Sequence, residues 1–363
     1  MERHVARPLT APPDPHGGRP TPDPFAATGP ALRWGVVSTG KIAHTVTTQL
    51  ARLEDARLQA VSSRDATKAA AFATKYGFRA SYGSAGGYQA LAEDPDVDVV
   101  YVATPHGQHH AVAGAMLRAG KHVLVEKAFT ITAAEAEDLA RLARERGLFL
   151  MEAVWTRFLP TYVAAMDVLE GGELGPVRYV QADMGFMAER DPRTRLWARA
   201  DGGGALLDLA VYPLCWVIGA LGLPTGVQAA GNVNSEGVDE LCAMTLAHEG
   251  GAHSQVMVSF VSDSTRKARI VGTEGYLEVG PSLSRPDGFA VVTGAARRSE
   301  RYELTDAPYA FQLREVTRCV QLGLLESPAM PLEHTLATMR LFDEVRRQVG
   351  VSYPNDAGSP PTT

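Results

Sequence analysis

The stretch Arg33 to Ala43, RWGVVSTGKIA, constrains this chain more than any other. Trp34, Val36 and Val37 form a short apolar run typical of strands buried on both faces, as parallel strands are. The run passes straight into Ser38-Thr39-Gly40-Lys41-Ile42-Ala43 and then into a helical pattern that ends near Leu50. The turn fits G-x-G-x-x-G/A, with Ser38 at the first glycine, Gly40 at the second and Ala43 at the third. Glycine at the second position lets backbone come close to a pyrophosphate, which then rests on the helix N-terminus. The small Ala43 lets that helix pack tightly on the strand. A single turn of this kind also occurs as an ordinary strand-to-helix connection, so the surrounding chain must decide.

The next hundred residues do so. Arg57–Ser62 reads as a second strand, and Ala66–Tyr76 as a helix stopped by Gly77. Ala80–Tyr82 is a short strand, and a weak helix follows Gly86-Gly87. Asp98–Thr104 is an apolar, β-branched strand, and His109–Ala119 a helix closed by Gly120. His122–Glu126 is the next strand. Thr132-x-x-Glu135 is a capping box that opens a helix to Arg146, with Gly147 at its end, and Leu148–Val154 is a further strand. Strand and helix alternate at βαβ spacing, which predicts a doubly wound parallel sheet with the Gly40 turn on its first strand. That is where a dinucleotide site belongs.

From Pro160 the texture changes. One helix covers Thr161–Glu170. Val177–Phe186, Val227–Asn234, Glu240–Ala247, Ser254–Val261, Ala268–Val271, Tyr276–Val279 and Phe289–Thr293 read as strands, and many are joined by Gly, Asp and Ser turns without helical crossovers. Helices over Tyr309–Leu325 and Leu332–Val349 close the pattern. The fold class expected is therefore α/β: a Rossmann domain over 31–153, then an α+β domain over 154–353 with a large, open, mainly antiparallel sheet. Alternating apolar residues such as Val256, Val258 and Phe260 predict that one face of that sheet meets a second copy of the chain, as a homodimer.

Residues 1–30 and 354–363 are rich in Pro, Gly, Thr, Ala and Asp and read as a disordered extension and tail. The net charge of -6, without a dense basic run, argues against nucleic acid or an anionic membrane as partner. No apolar run reaches the ~18 residues of a membrane span. Cys215, Cys242 and Cys319 lie far apart without metal-ligand spacing, which fits core positions in a reducing, cytoplasmic setting and predicts no metal.

Four clusters could carry chemistry. Glu126-Lys127 closes a predicted parallel strand at the sheet edge where ligands of α/β sheets bind. Asp201–Tyr212, DGGGALLDLAVY, places Asp208 and Tyr212 four apart on one helix face, with Pro213 breaking the helical pattern beside them. Thr104-Pro105-His106-Gly107-Gln108-His109 caps another strand of the sheet, where His106 and His109 would touch a ligand or cap the following helix. Glu152–Pro160, EAVWTRFLP, offers Trp155, Arg157 and Phe158 at the junction of the two halves; Phe186, Arg195 and Trp197 are further candidates to line a substrate pocket. At the end of the second strand, Ser62-Ser63-Arg64 suits a 2′-phosphate and favours NADP, while the neighbouring Asp65 keeps NAD open.

Together these clusters resemble the Gfo/Idh/MocA oxidoreductases over Leu32 to Gly350. The resemblance rests on the nucleotide turn, T-P-x-x-x-H, the E-K-P motif seen as Glu126-Lys127-Ala128, G-G-G-A-L-L-D, and the turn Gly272-Thr273-Glu274-Gly275. E-A-x-W-T-R-F-x-P and Tyr212 place it nearest the branch of dimeric dihydrodiol dehydrogenases and NADP-dependent xylose dehydrogenases. Ala128 stands in place of the usual proline, and Ser38 in place of a glycine. The resemblance implies that Lys127, Asp208 and Tyr212 are the acid/base group. It implies a cofactor held by residues 38–42, Ser63, Arg64, Thr104, Pro105, His106, His109, Glu126 and Lys127. Hydride would pass between nicotinamide and a secondary alcohol of a sugar, polyol or dihydrodiol, with Tyr212 as proton acceptor and Lys127 lowering its pKa. Two other functions fit the same fold: redox-assisted glycoside cleavage with tightly held NAD, and a non-catalytic nucleotide-binding regulator.

Overall fold

The structure, a computed structural model, describes residues 23–302 and 306–358. Residues 1–22 of the expected extension and 359–363 of the tail lie outside the described residues. The first half alternates β1 (Leu32–Val37), α1 (Lys41–Leu50), β2 (Ala56–Ser63), α2 (Ala66–Tyr76), β3 (Ala80–Gly83) and α3 (Gly87–Glu93). It continues through β4 (Val99–Val102), α4 (His109–Arg118), β5 (His122–Glu126), α5 (Ala133–Arg146) and β6 (Leu150–Ala153). The sheet order is β3-β2-β1-β4-β5-β6, and all pairs are parallel. Strand order reverses between β1 and β4, so the crevice at their carboxyl ends is the switch point where such sheets take ligands. The capping box works in modified form. Thr132 Oγ1 accepts from the Glu135 N–H at 3.2 Å, while the Glu135 carboxylate accepts from the Ile131 N–H at 3.1 Å.

The second half begins with α6 (Pro160–Glu170) and β7 (Val177–Gly185), then α7 (Ala205–Leu209) and α8 (Val211–Leu221). Next come β8 (Pro224–Val233), β9 (Asp239–His248), β10 (His253–Ser259), β11 (Ala268–Gly272), β12 (Gly275–Val279), β13 (Gly288–Thr293) and β14 (Ala296–Arg301). They form one sheet in the order β14-β13-β12-β11-β7-β10-β9-β8, antiparallel except where β7 meets β10. β14 has no apolar alternation to announce it. It is an edge strand whose exposed arginines blunt the edge. The helices α9 (Ala310–Gln321) and α10 (Leu332–Val349) join the halves: α10 lies between β8 and α5, and α9 beside α1.

Two expectations are corrected in this half. The helix expected to carry Asp208 and Tyr212 on one face is two helices that meet at Ala210. Pro213 is then the third residue of α8, inside a first turn whose N–H groups have no intrahelical acceptor to lose. Val256, Val258 and Phe260 do not face outward either. They are 2 %, 0 % and 0 % exposed, on the side of the sheet that packs against α7 and α8, where each buried valine contributes about 1.5–3 kcal/mol. The opposite face presents a polar mixture that includes Gln181, Thr245 and Gln255.

Residues 23–30 and 354–358 are held more closely than composition predicts. The Phe25 ring lies 4.0 Å from the Arg52 guanidinium, and the Thr28 N–H donates to Asp55 at 2.9 Å. Arg314 of α9 donates to the Pro24 and Phe25 carbonyls at 3.1 and 3.2 Å and to Asp55 at 2.8 Å. A guanidinium has five donors, and the backbone of 23–30 supplies acceptors that a buried one requires. At the other end Asp356 pairs with Arg346, and Asn355 reaches Glu135 at 2.7 Å. Among the described residues no single helix is long and apolar enough to cross a membrane.

Shortening the chain to begin at Ala31 strips these acceptors from Arg314. Stability is expected to fall by roughly 2–4 kcal/mol, the loss of hydrogen bonds to a buried charged group. Urea denaturation checks this, and an unchanged midpoint would show that residues 23–30 contribute nothing.

Candidate active site

A cleft of about 850 Å³ runs along the carboxyl ends of β1, β2, β4 and β5 and is closed opposite by α7, α8, Trp155 and Tyr309. At one end lies the glycine turn. Ser38 has φ 115°, a region that costs a non-glycine residue about 1–3 kcal/mol, which accounts for glycine at this place in the general pattern. Its hydroxyl accepts from the Gly40 N–H at 3.1 Å. Gly40 itself has φ -76° and ψ 175°, open to any residue. A Cβ there would meet only the Ser38 hydroxyl, at 3.3 Å. Nothing in the chain requires glycine at 40; what it preserves is empty cleft. Beside it, α1 starts with no side-chain cap and no acidic residue in its first turn, so its free N–H groups suit an anion.

The end of β2 continues this surface. Arg64 and Lys68 are exposed and line the cleft, with Lys41 across from them. Asp65, the acidic residue nearest the place of a ribose-binding carboxylate, is the N-cap of α2 and accepts from the Lys68 N–H at 3.1 Å. Its carboxylate is thus engaged in capping, and the free side chains around it are cations. Lys68 is a residue the sequence reading passed over, although it lies one helical turn beyond Asp65.

At the other end, Lys127 and Asp208 meet from opposite halves of the chain. Lys127 Nζ donates to Asp208 Oδ1 at 2.9 Å and to the Asp208 carbonyl at 2.6 Å. Arg195 Nη1 donates to the same Oδ1, also at 2.9 Å. Burial alone would lower the Lys127 pKa, but the Asp208 carboxylate outweighs it and holds the ammonium above its ordinary value. Burial would likewise raise Asp208; Lys127 and Arg195 overcome it and keep the carboxyl far below the usual range. Tyr212 stands beside this pair, its hydroxyl accepting from Trp155 Nε1 at 3.2 Å and its ring 5.1 Å from Lys127 Nζ. Burial raises the Tyr212 phenol above its usual pKa, and Lys127 offsets this only in part. The expectation that Lys127 lowers this pKa holds in direction, but burial outweighs it and the phenol stays above its ordinary value.

His106 fixes the frame. Its ring nitrogens lie 3.0 Å from the Lys127 carbonyl and 3.1 Å from the Gly202 carbonyl, one from each half of the chain. Burial, then the neighbouring His109, lower its pKa to about 3, so the ring is neutral. Beneath Lys127, Tyr101 donates to Glu126 Oε1 at 2.5 Å. Tyr101, inside an apolar strand, and Tyr309, more than 150 residues from the Trp155 ring it touches at 4.8 Å, gave no local signal in the sequence.

Five expected residues lie outside the cleft. His109 is fully buried, with Nε2 2.8 Å from the Thr104 carbonyl and Nδ1 3.0 Å from that of Ala128, so it braces the Lys127 loop from behind. Arg157 shares a short helical turn with Trp155 and points the other way, to His334 Nδ1 at 2.7 Å. Phe158 packs in the core at 2 % exposure. Phe186 meets the Phe260 ring at 5.4 Å. Trp197, 1 % exposed, anchors the loop that carries Arg195 by donating to the Glu189 carbonyl.

Comparison with known proteins gives the same picture. A model described as an oxidoreductase family with an NAD-binding Rossmann fold matches residues 32–154, and that of the GFO/IDH/MocA C-terminal domain matches 162–278. The trans-1,2-dihydrobenzene-1,2-diol dehydrogenase of Mus musculus is 36% identical over 337 residues, spanning 90% of this chain and 99% of that protein. The aldose-aldose oxidoreductase from Caulobacter crescentus, solved with glycerol, superposes with a TM-score of 0.80 at 25% identity, over 88% of this chain and 98% of that one. A 3-ketoreductase from Actinomadura kijaniata, solved with NADP and TDP-benzene, gives 0.78 at 27% identity over the same shares. Both halves of the fold, the cleft between them and these matches lead to one conclusion: the chain belongs to the Gfo/Idh/MocA family of oxidoreductases.

Proposed function

We propose that this protein is an NADP-preferring dehydrogenase that interconverts a secondary alcohol of a cyclic diol or sugar and the corresponding carbonyl. The observation that carries the reading is the buried Lys127–Asp208 pair with the Tyr212 hydroxyl beside it, at the far end of a cleft that begins at an uncapped helix. The α1 N-terminus and Gly40 would hold the pyrophosphate, and Ser63, Arg64 and Lys68 the 2′-phosphate. The bound nicotinamide supplies or takes the hydride. Tyr212 holds its proton at neutral pH and donates it to a substrate carbonyl during reduction; in oxidation the same group, as the phenolate, takes the proton back. Lys127 remains an ammonium and donates a hydrogen bond to the developing alkoxide, while Asp208 and Arg195 fix its position. Trp155 and Tyr309 offer flat apolar faces for a ring, in keeping with relatives named for a dihydrobenzenediol and for aldoses.

The reading extends to organisation. The three separated cysteines support a cytoplasmic setting, and the end of β6 at Ala153 supports a division between residues 153 and 154. The uncovered face of the large sheet is the surface a homodimer would use. Light scattering at micromolar concentration is expected to give twice the monomer mass, and a monomer would remove the dimer from the proposal.

Two variants divide the cleft. Gly40→Ala fills space that only a ligand needs, so it should weaken NADPH binding at least tenfold and leave stability within about 0.5 kcal/mol. Tyr212→Phe should leave NADPH affinity unchanged and lower kcat by about 10²–10⁴. Because burial raises this phenol, alcohol oxidation by the natural enzyme should still be climbing with pH where an ordinary phenol titrates, while carbonyl reduction stays level through neutrality. Fluorescence titration and stopped-flow kinetics read both arms. A Tyr212→Phe enzyme with normal kcat, or a Gly40→Ala enzyme with normal affinity, would refute the corresponding assignment.

A further inference from the structure

Glu126 is a buried carboxylate that, among the described residues, is within salt-bridge distance of no cation. It is 7 % exposed and lines the cleft at the carboxyl end of β5. Oε1 accepts from the Tyr101 hydroxyl at 2.5 Å, and Oε2 from the Lys127 backbone N–H at 3.3 Å. Both donors are neutral. The ammonium of the adjacent residue turns away to Asp208, and among the described residues no salt bridge to Glu126 forms. Burying a carboxylate this way is costly unless a cation completes the site. The neighbouring Asp208 shows the contrast, with two cations on a single oxygen.

We propose that Glu126 is completed by the positive charge of the oxidised nicotinamide ring, and so makes the empty protein favour NADP⁺ over NADPH. The inference rests on the nucleotide reading above and adds to it a discrimination between the two redox states. The two forms differ in charge at the ring alone, so their phosphates and adenosine contribute equally and cancel in a ratio of affinities. A carboxylate facing the ring acts on that ratio, whereas a residue that merely shapes the pocket acts on both forms alike. The other groups around Glu126 are the Tyr101 phenol from β4, the Arg195 guanidinium, Tyr212 from α8, Tyr309 at the start of α9 and Glu152 from β6. Burial raises the Glu126 pKa, and the Tyr101 bond and Lys127 offset it in part. As pH falls and Glu126 gains a proton, the preference for NADP⁺ should fade.

The experiment is equilibrium titration of the full chain with NADP⁺ and with NADPH, between pH 5 and 9, for the natural protein, Glu126→Gln and Tyr101→Phe. Glu126→Gln keeps the shape and removes the charge; its amide oxygen can accept from the Lys127 N–H, and the Tyr101 hydroxyl then accepts from the amide NH2. It is expected to weaken NADP⁺ about tenfold, change NADPH less than twofold, and leave a ratio independent of pH. Tyr101→Phe removes a donor to the carboxylate, so the midpoint at which the ratio changes should move to higher pH. Equal losses for both forms in Glu126→Gln, or a ratio that the substitution leaves unchanged, would overturn the inference. A natural protein that binds neither form would instead refute the nucleotide reading itself.

Discussion

One carboxylate oxygen, Oδ1 of Asp208, gathers the chemistry of this protein. It receives Lys127 from the end of β5 and Arg195 from the loop before α7, each at 2.9 Å. Lys127, 81 residues away, and the nearer Arg195 thereby converge on one point between the two sheets. The pair is buried, so removing the carboxylate would leave the Lys127 ammonium uncompensated at a cost of about 3–5 kcal/mol, whereas removing Lys127 leaves Asp208 still paired with Arg195. The break at Ala210 adds a second acceptor, because the Asp208 carbonyl also receives Lys127. Burial explains why Tyr212 stays protonated: it raises the phenol further than the nearby Lys127 ammonium lowers it.

The surrounding structure keeps that oxygen in place. Asp239 Oδ2 accepts from the Leu206 N–H at 2.7 Å, at the start of the short helix that carries Asp208. Gly204 has φ 121°, and a Cβ there would fall 2.3 Å from Asp239 Oδ1, so only glycine allows this capping. Tyr353, near the C-terminus, donates to the Gly203 carbonyl at 2.5 Å. His106 then lies between the carbonyls of Gly202 and Lys127 and, being neutral, donates its single ring N–H to one of them. The glycine triplet is therefore a sharp, crowded turn that delivers Asp208 to the lysine, and its motif has a steric cause.

Much of this was legible in the sequence, for physical reasons. Residues 32–153 announce themselves because buried parallel strands must be apolar runs and their helices must be capped; Gly77 and Gly147 both close helices in the left-handed conformation. Lys127, Asp208 and Tyr212 stood out as polar groups at strand ends or in an apolar helix, where only function or a partner retains them. Other features had no local signature. Arg157 and Trp155 lie in one motif, yet a helical turn sends their side chains to opposite sides. Tyr309 reaches the cleft only through the tertiary path of α9, whose first N–H groups are held by Gln49 of α1. The segment 23–30 has a linker's composition and is ordered by what Arg314 requires. The open sheet face was misassigned because alternation tells which residues share a face, and not which face is covered.

The central claim is that Lys127 and Asp208 act as one unit across the two halves of the chain. A double-mutant cycle on kcat tests it, with Lys127→Met, Asp208→Asn and the pair together, each checked for unchanged NADPH affinity. If the carboxylate works through the lysine, the double variant should be no slower than Lys127→Met alone. Losses that multiply in the double variant would mean that the two residues act independently, and would contradict this account.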